Sequence, residues 1–277
     1  MAQNCYRHPD RETGVSCSSC GRPICPDCMT PTPVGMRCPE CMRQRTKVVR
    51  NPTGTPGQFS AFPATMVLIA INVIVYLVEI AGGAGGINNP SGSFVAEFGL
   101  FGPIVGEGGE WYRLVTSGFL HASLFPHLLF NMVLLFFLGR LLEPAPLGTV
   151  RFVALYFASL LAGSLGVMLL DPNALTLGAS GAIFGLAGAT FVIARGRGMD
   201  RIAGEIGFLI VFNLIFSFSA ANVSVGAHLG GLVGGIICAL AIVAGEKGAY
   251  GKNRLPVELL LIALVGVISF VAAIAVA

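Results

Sequence analysis

The sequence predicts an all-α, polytopic membrane protein preceded by a small, separately folded module. Three observations carry this. Hydrophobic residues make up 54% of the 277 positions and charged residues only 11%, where a soluble domain carries about 25% charge. Mean hydropathy is +0.78. Seven of the eight cysteines fall within the first 41 residues, so the chain has two unlike parts. The composition excludes an ordinary soluble enzyme. The net charge of +3 says little as a total; its distribution says more.

The first part, residues 1–42, carries the pattern Cys5-x2-His8, Cys17-x2-Cys20, Cys25-x2-Cys28 and Cys38-x2-Cys41. An x2 spacing lets one tight turn aim two side chains at a single ion, and four such pairs complete two tetrahedral zinc sites. Seven cysteines and one well-placed histidine are an odd count for a disulfide framework and a full count for zinc. A segment of about forty residues has little core, so metal binding would supply most of its folding free energy. The N-terminus opens on polar, cysteine-rich sequence, so no cleavable signal peptide is expected. Thiolate zinc sites favour a reducing compartment, which places the module in the cytosol. The spacing resembles that of the B-box and related cross-brace fingers. That resemblance implies one site from Cys5, His8, Cys25 and Cys28 and another from Cys17, Cys20, Cys38 and Cys41, with sequential pairing as the alternative.

Residues 43–63 read as a linker, with Arg43, Arg45, Lys47 and Arg50 followed by a Pro/Gly-rich run. Basic residues ahead of a first span are ordinary topology signals, so nucleic-acid binding is not expected. A bilayer core needs about 20 apolar residues per helix. Spans are expected near 64–82, 124–142, 151–170, 180–196, 202–219, 226–244 and 256–276, the fourth short and glycine-rich. If the chain alternates, Arg140 with Arg151, Arg195 with Arg197 and Arg201, and Lys247 with Lys252 and Arg254 share the side of the N-terminal module. Residues 83–123, 171–178 and 220–225 then face the other side and hold almost no Lys or Arg. The charge rule and the thiolates both put the N-terminus in the cytosol. The 83–123 segment is too long for a simple turn, so structure or function of its own is expected.

Polar groups at membrane depth are costly, so each asks for a reason. Ser180 starts the fourth span in "LGASGAIFG", and His228 lies one turn into the sixth in "VGAHLGGLVGG". In "FPHLLFN" at the second span, His127 and Asn131 are four apart and share a helix face. All four belong to the same end of the expected bundle. Gly181 with Gly185, and Gly226, Gly230, Gly231, Gly234 and Gly235, make small-x3-small faces on the fourth and sixth spans. Packed through them, these spans would bring the Ser180 hydroxyl to an imidazole nitrogen of His228, the arrangement of an activated nucleophile.

The ordered set Trp111-Tyr112-Arg113, His127-x3-Asn131, Gly178-Ala179-Ser180-Gly181 and Ala227-His228-Leu229-Gly230-Gly231 resembles the rhomboid intramembrane serine proteases. The resemblance runs from the first loop through the sixth span. It implies a rhomboid-like six-helix core over 64–246, with 247–277 adding a cytosolic loop and a seventh span. It further implies a Ser180–His228 dyad that needs no cofactor, and an oxyanion pocket from Asn131, His127 and the Ser180 N–H. Gly178, Gly181, Phe184, Trp111 and Arg113 fall on supporting positions. Substrates would be transmembrane or membrane-anchored proteins cut near the outer leaflet of a plasma- or inner-membrane-type bilayer. For the zinc module three roles stay open, recruiting a cytosolic protein partner, positioning substrates or regulating stability, and the sequence does not choose among them. Two departures stand out. Phe184 replaces a frequent tyrosine, keeping the ring and losing the hydroxyl, and Pro126 is one residue extra before His127. His121 reads as a loop residue, Cys238 as a buried apolar side chain, and Glu79, on no motif, receives no role.

Two other functions compete. A catalytically silent relative that binds client helices would be expected to lack Ser180 or His228, and both are present. A transporter would repeat its polar groups in a second half, and these do not recur.

Overall fold

The computed structural model describes residues 3–32, 35–43, 62–82, 92–219 and 223–277. Nearly all of the expected linker, the start of the 83–123 segment and most of the 220–225 turn lie outside the described residues. The chain divides into two compact units, Met1–Thr55 and Pro56–Ala277.

Among the described residues the first unit holds two antiparallel two-stranded ribbons, a 3-10 turn over Pro26–Cys28 and one short α-helix. β1 (Gln3–Asn4) pairs with β2 (Glu12–Thr13), and β3 (Thr30–Thr32) with β4 (Gly35–Arg37), with Gln3 opposite Thr13 and Thr30 opposite Arg37. Helix α1 (Pro39–Arg43) closes the unit. Its interior is Ile24 surrounded by six buried cysteines, flanked by Tyr6 and Met29. So little apolar surface does not stabilise a fold unaided.

The second unit is a helical bundle. α2 (Pro63–Gly82), α6 (Leu129–Leu142), α7 (Thr149–Leu170), α9 (Asp200–Ser219), α10 (Val225–Glu246) and α11 (Arg254–Val276) belong to six helical segments long and apolar enough to cross a membrane. α8 (Ser180–Gly196) is the seventh and has 17 residues, about 26 Å of helix. Each of the seven expected spans is therefore a helix. α3 (Ser93–Phe98), α4 (Gly102–Gly106) and α5 (Arg113–Thr116) are short helices inside the long first loop.

The shortness of α8 follows from its place. Every residue from Gly181 to Thr190 is buried, so α8 is sheathed by other helices and is built mainly of glycine, alanine and other residues of modest bulk. A Cβ on Gly231 of α10 would run into the Gly181 carbonyl, and one on Gly235 into the Gly185 carbonyl. α8 and α10 thus touch backbone to backbone, as small residues permit in a bilayer, where dispersion and close approach drive helix pairing. α9 is the contrast: Phe208, Phe212 and Phe216 are more than half exposed and form a lipid-facing stripe.

Carboxylates fasten helix ends. Glu143, after α6, accepts hydrogen bonds from the Ala64 N–H (2.8 Å), the Thr65 N–H (2.9 Å) and the Thr65 hydroxyl (2.7 Å) at the start of α2. An anion there meets unpaired N–H groups and the positive end of the helix dipole. Glu258 of α11, fully buried, binds Arg151 of α7 at 2.6 Å and Arg254 at 2.7 Å. These contacts tie α2 to the end of α6 and α11 to α7.

Candidate active site

The site forms where several helices begin at one end of the bundle. Ser180 is the first residue of α8, so its backbone N–H has no partner within the helix. His228 is the fourth residue of α10. The close packing of the two helices sets the Ser180 Oγ 2.8 Å from His228 Nε2. The Phe184 ring, one turn along α8, stacks on the imidazole with centroids 4.1 Å apart and planes 20° from parallel. Stacking confines the imidazole to one plane, and in that plane Nε2 meets the serine. The ring is the stacking element, so the hydroxyl absent at Phe184 is not part of this contact.

The segment leading to Ser180 is positioned by the first loop. Leu100 and Thr176 exchange backbone hydrogen bonds of 2.9 and 2.8 Å, and the Gly178 N–H donates to the Ser117 carbonyl at 2.9 Å. The loop is in turn braced by Arg113, which is 4% exposed. Its Nη1 donates to the carbonyls of Ala96 (2.7 Å) and Gly99 (2.8 Å), and its Nε to Glu110 (2.6 Å). Trp111 is exposed and packs edge-on against Phe270 of α11, 5.9 Å between centroids.

Gly178 has φ +125°, and a Cβ there would lie 2.6 Å from His127 Nε2 and 3.7 Å from Asn131 Nδ2. Glycine is required on both counts, conformational and steric. The Ala122 N–H donates to His127 Nδ1 at 3.2 Å. That nitrogen accepts, so the neutral ring carries its proton on Nε2, the atom beside Gly178. Asn131 Nδ2 is buried with no hydrogen-bond partner among the described residues. Two N–H donors thus lie close to Gly178. A buried unmet donor is costly, and such a pair fits an anionic oxygen.

Sequence reasoning missed the support behind this pocket. His121, fully buried, packs edge-on against the His127 ring at 5.0 Å. Its backbone N–H donates to the Glu79 carboxylate at 3.2 Å. Glu79 therefore holds the His121 turn and does not contact His228 through any described hydrogen bond. The signal was present, since a carboxylate in the middle of an apolar span calls for a partner. Gly181 lies against Gly163 and the Ala227 carbonyl, and Cys238 is buried in the core.

In the N-terminal unit the cysteines group as two tetrads, Cys5, His8, Cys25, Cys28 and Cys17, Cys20, Cys38, Cys41, with ligand atoms within 4.8 Å of one another in each. This is the cross-braced grouping and not the sequential one. His8 Nδ1 lies 3.9, 3.3 and 3.4 Å from the sulfurs of Cys5, Cys25 and Cys28, and the Cys20 and Cys38 sulfurs are 3.8 Å apart. Tetrahedral bonds of ordinary zinc length put N and S about 3.6 Å apart and two S about 3.8 Å apart. Burial opposes ionisation of Cys5 and Cys17, yet nearby backbone N–H groups bring both down to about 6. Burial and the Cys5 and Cys25 thiols push Cys28 up to about 11, and the Cys38 and Cys20 thiols with burial push Cys41 up to about 12. Three thiols with an imidazole in one tetrad and four thiols in the other are donor sets that fit a thiophilic metal ion.

Residues 108–245 match the rhomboid domain. The chain is 34% identical over 206 residues to the rhomboid protease GluP of Bacillus subtilis (strain 168), covering 73% of this chain and 39% of GluP. It is 36% identical over 148 residues to the YdcA protein of the same organism, covering 51% of this chain and 72% of YdcA. To the rhomboid-like protease 1 of Toxoplasma gondii it is 31% identical over 189 residues, 64% of each chain.

Proposed function

Because the chain belongs to the rhomboid family, we propose that it is an intramembrane serine endopeptidase with Ser180 as nucleophile and His228 as its base. The observation that carries this is the 2.8 Å contact between Ser180 Oγ and His228 Nε2, within hydrogen-bond reach for proton transfer. Ser180 Oγ attacks the scissile carbonyl carbon and gives its proton to His228 Nε2. The carbonyl oxygen becomes an oxyanion facing His127 Nε2–H, Asn131 Nδ2 and the Ser180 N–H. The tetrahedral intermediate then collapses, and His228 returns the proton to the leaving amine. Water releases the acyl group by the same steps in reverse order of partners. Donors of this kind are worth about 3 kcal/mol each on the transition state.

The substrates on this reading are transmembrane or membrane-anchored proteins. Peptide carbonyls in a helix are shielded by their own hydrogen bonds, so small residues and helix breakers near the cut are favoured. On this reading the basic residues Arg140, Arg151, Arg195, Arg197 and Arg201 belong to the cytosolic side, as the charge rule favours, and the site opens toward the opposite leaflet. Residues 64–246 form the protease core on this reading, and 247–277 add the seventh span. The test is chemical labelling. A fluorophosphonate added to the detergent-purified protein should modify Ser180 alone, located by peptide mass spectrometry. Cleavage of a membrane-anchored substrate without any label at Ser180 sinks the assignment, and absence of both points to a silent, helix-binding relative.

The N-terminal tetrads hold two structural zinc ions on this reading, and the module serves a cytosolic protein partner. Stripping the metal with a strong chelator should make residues 3–43 sensitive to protease while the helical bundle keeps its circular dichroism. Resistance of the module after verified metal loss would rule out a metal-dependent fold.

A further inference from the structure

Ser217 of α9 is 3% exposed and carries no recognised motif. Its Oγ lies 2.6 Å from His228 Nδ1, the ring nitrogen that does not meet Ser180, and 2.6 Å from the Asn213 carbonyl oxygen. Three hydrogens are to be placed here: one on the neutral imidazole and one on each serine hydroxyl. In one arrangement Nδ1–H donates to Ser217 Oγ, the Ser217 hydroxyl donates to the Asn213 carbonyl, and the Ser180 hydroxyl donates to Nε2. That makes three hydrogen bonds. In the reverse arrangement the Ser217 hydroxyl donates to Nδ1 and Nε2–H donates to Ser180 Oγ. The Ser180 hydrogen is then left with no recorded acceptor among the described residues, and only two bonds form. Side-chain donation to the carbonyl four residues back is a common helix contact, and the fuller network prevails where the groups are buried.

The geometry points to Ser217 as a positioning residue that fixes the His228 tautomer, leaving Nε2 free to take the proton of Ser180. This rests on the Ser180–His228 reading above and deepens it. The imidazolium formed during attack keeps its Nδ1–H on Ser217 Oγ, so a neutral hydroxyl serves where many serine hydrolases use a carboxylate. Without it neither tautomer is preferred, and the form with Nε2–H does not accept the nucleophile's proton. Ser219, two residues on, supplies the control. Its Oγ donates to the Ile215 carbonyl at 2.9 Å in the same way, but it is exposed and has no recorded bond to an imidazole.

The experiment is steady-state cleavage of a transmembrane substrate in proteoliposomes, joined to nitrogen-15 NMR of the histidine rings. Ser217→Ala should lower kcat about tenfold, the order of one hydrogen bond, with KM unchanged. Ser217→Thr, which keeps the hydroxyl, should recover most of the rate, and Ser219→Ala should match wild type. The wild-type His228 should be protonated at Nδ1, and Ser217→Ala should shift the proton toward Nε2. Wild-type kcat in Ser217→Ala, equal losses in Ser217→Ala and Ser219→Ala, or a wild-type ring already protonated at Nε2 would each overturn the inference. The two readings fail separately. A Ser180→Ala variant that still cleaves refutes the dyad, whereas an inactive Ser180→Ala beside a fully active Ser217→Ala refutes only the role of Ser217.

Discussion

Ser180→Ala is expected to reduce substrate cleavage by at least about 10⁴-fold, the scale on which nucleophile loss acts in serine hydrolases, while leaving the fold intact. The structure gives both halves of this expectation. Ser180 Oγ makes its one recorded side-chain hydrogen bond to His228, so removing it costs a single bond between α8 and α10. The packing of α8 on α10 runs through Gly181 and Gly185, which the substitution leaves alone. His228→Ala should fall by a similar factor, because an unactivated serine hydroxyl is a weak nucleophile. The double variant should be no worse than either single one, since the two act as a unit. Cleavage of a membrane-anchored substrate, read by gel beside the thermal unfolding of each variant, measures all of this. Wild-type cleavage by a folded Ser180→Ala protein would end the serine mechanism.

The second large effect is on stability. Gly231→Leu is expected to prevent native assembly of the bundle, with a loss beyond about 4 kcal/mol. A Cβ at Gly231 would collide with the carbonyl oxygen of Gly181 and lie 2.6 Å from its carbonyl carbon and 3.1 Å from its Cα. All three are backbone atoms of a buried helix and have no rotamer by which to give way. Gly204→Leu on α9 is the matched control, because a Cβ there meets nothing within 4 Å. It should retain the wild-type melting temperature in detergent. Equal melting temperatures for the two variants would show that α8 and α10 do not meet backbone to backbone. Loss of activity in Gly231→Leu should come with loss of fold, which sets it apart from Ser180→Ala.

The spans were legible because the bilayer imposes a length and a polarity that a single sequence displays openly. The helices over 63–82, 149–170, 200–219 and 225–246 begin and end within two residues of the expected positions. The pairing of Ser180 with His228 was legible for a related reason. Polar residues are rare at that depth, and glycine faces name the helices that approach. Glu79, His121 and Ser217 were not legible as parts of the site. Ser217 sits among other polar residues of "NLIFSFS", and nothing in its spacing separates it from Ser219, which faces outward. Only the rotation of α9 about its axis distinguishes them, and that rotation is set by packing.

The sequence by itself determined that this is a multi-pass helical membrane protein with two cysteine-rich tetrads ahead of it, and which polar residues interrupt its apolar spans. These follow from composition and period, which are local properties of the chain. The tertiary structure alone decided that the tetrads are cross-braced and that His127 presents Nε2 beside Gly178. It alone decided that Ser217 faces the far nitrogen of His228. Each of those is a matter of a few ångströms and one side-chain direction, fixed by contacts between segments that the linear sequence keeps apart.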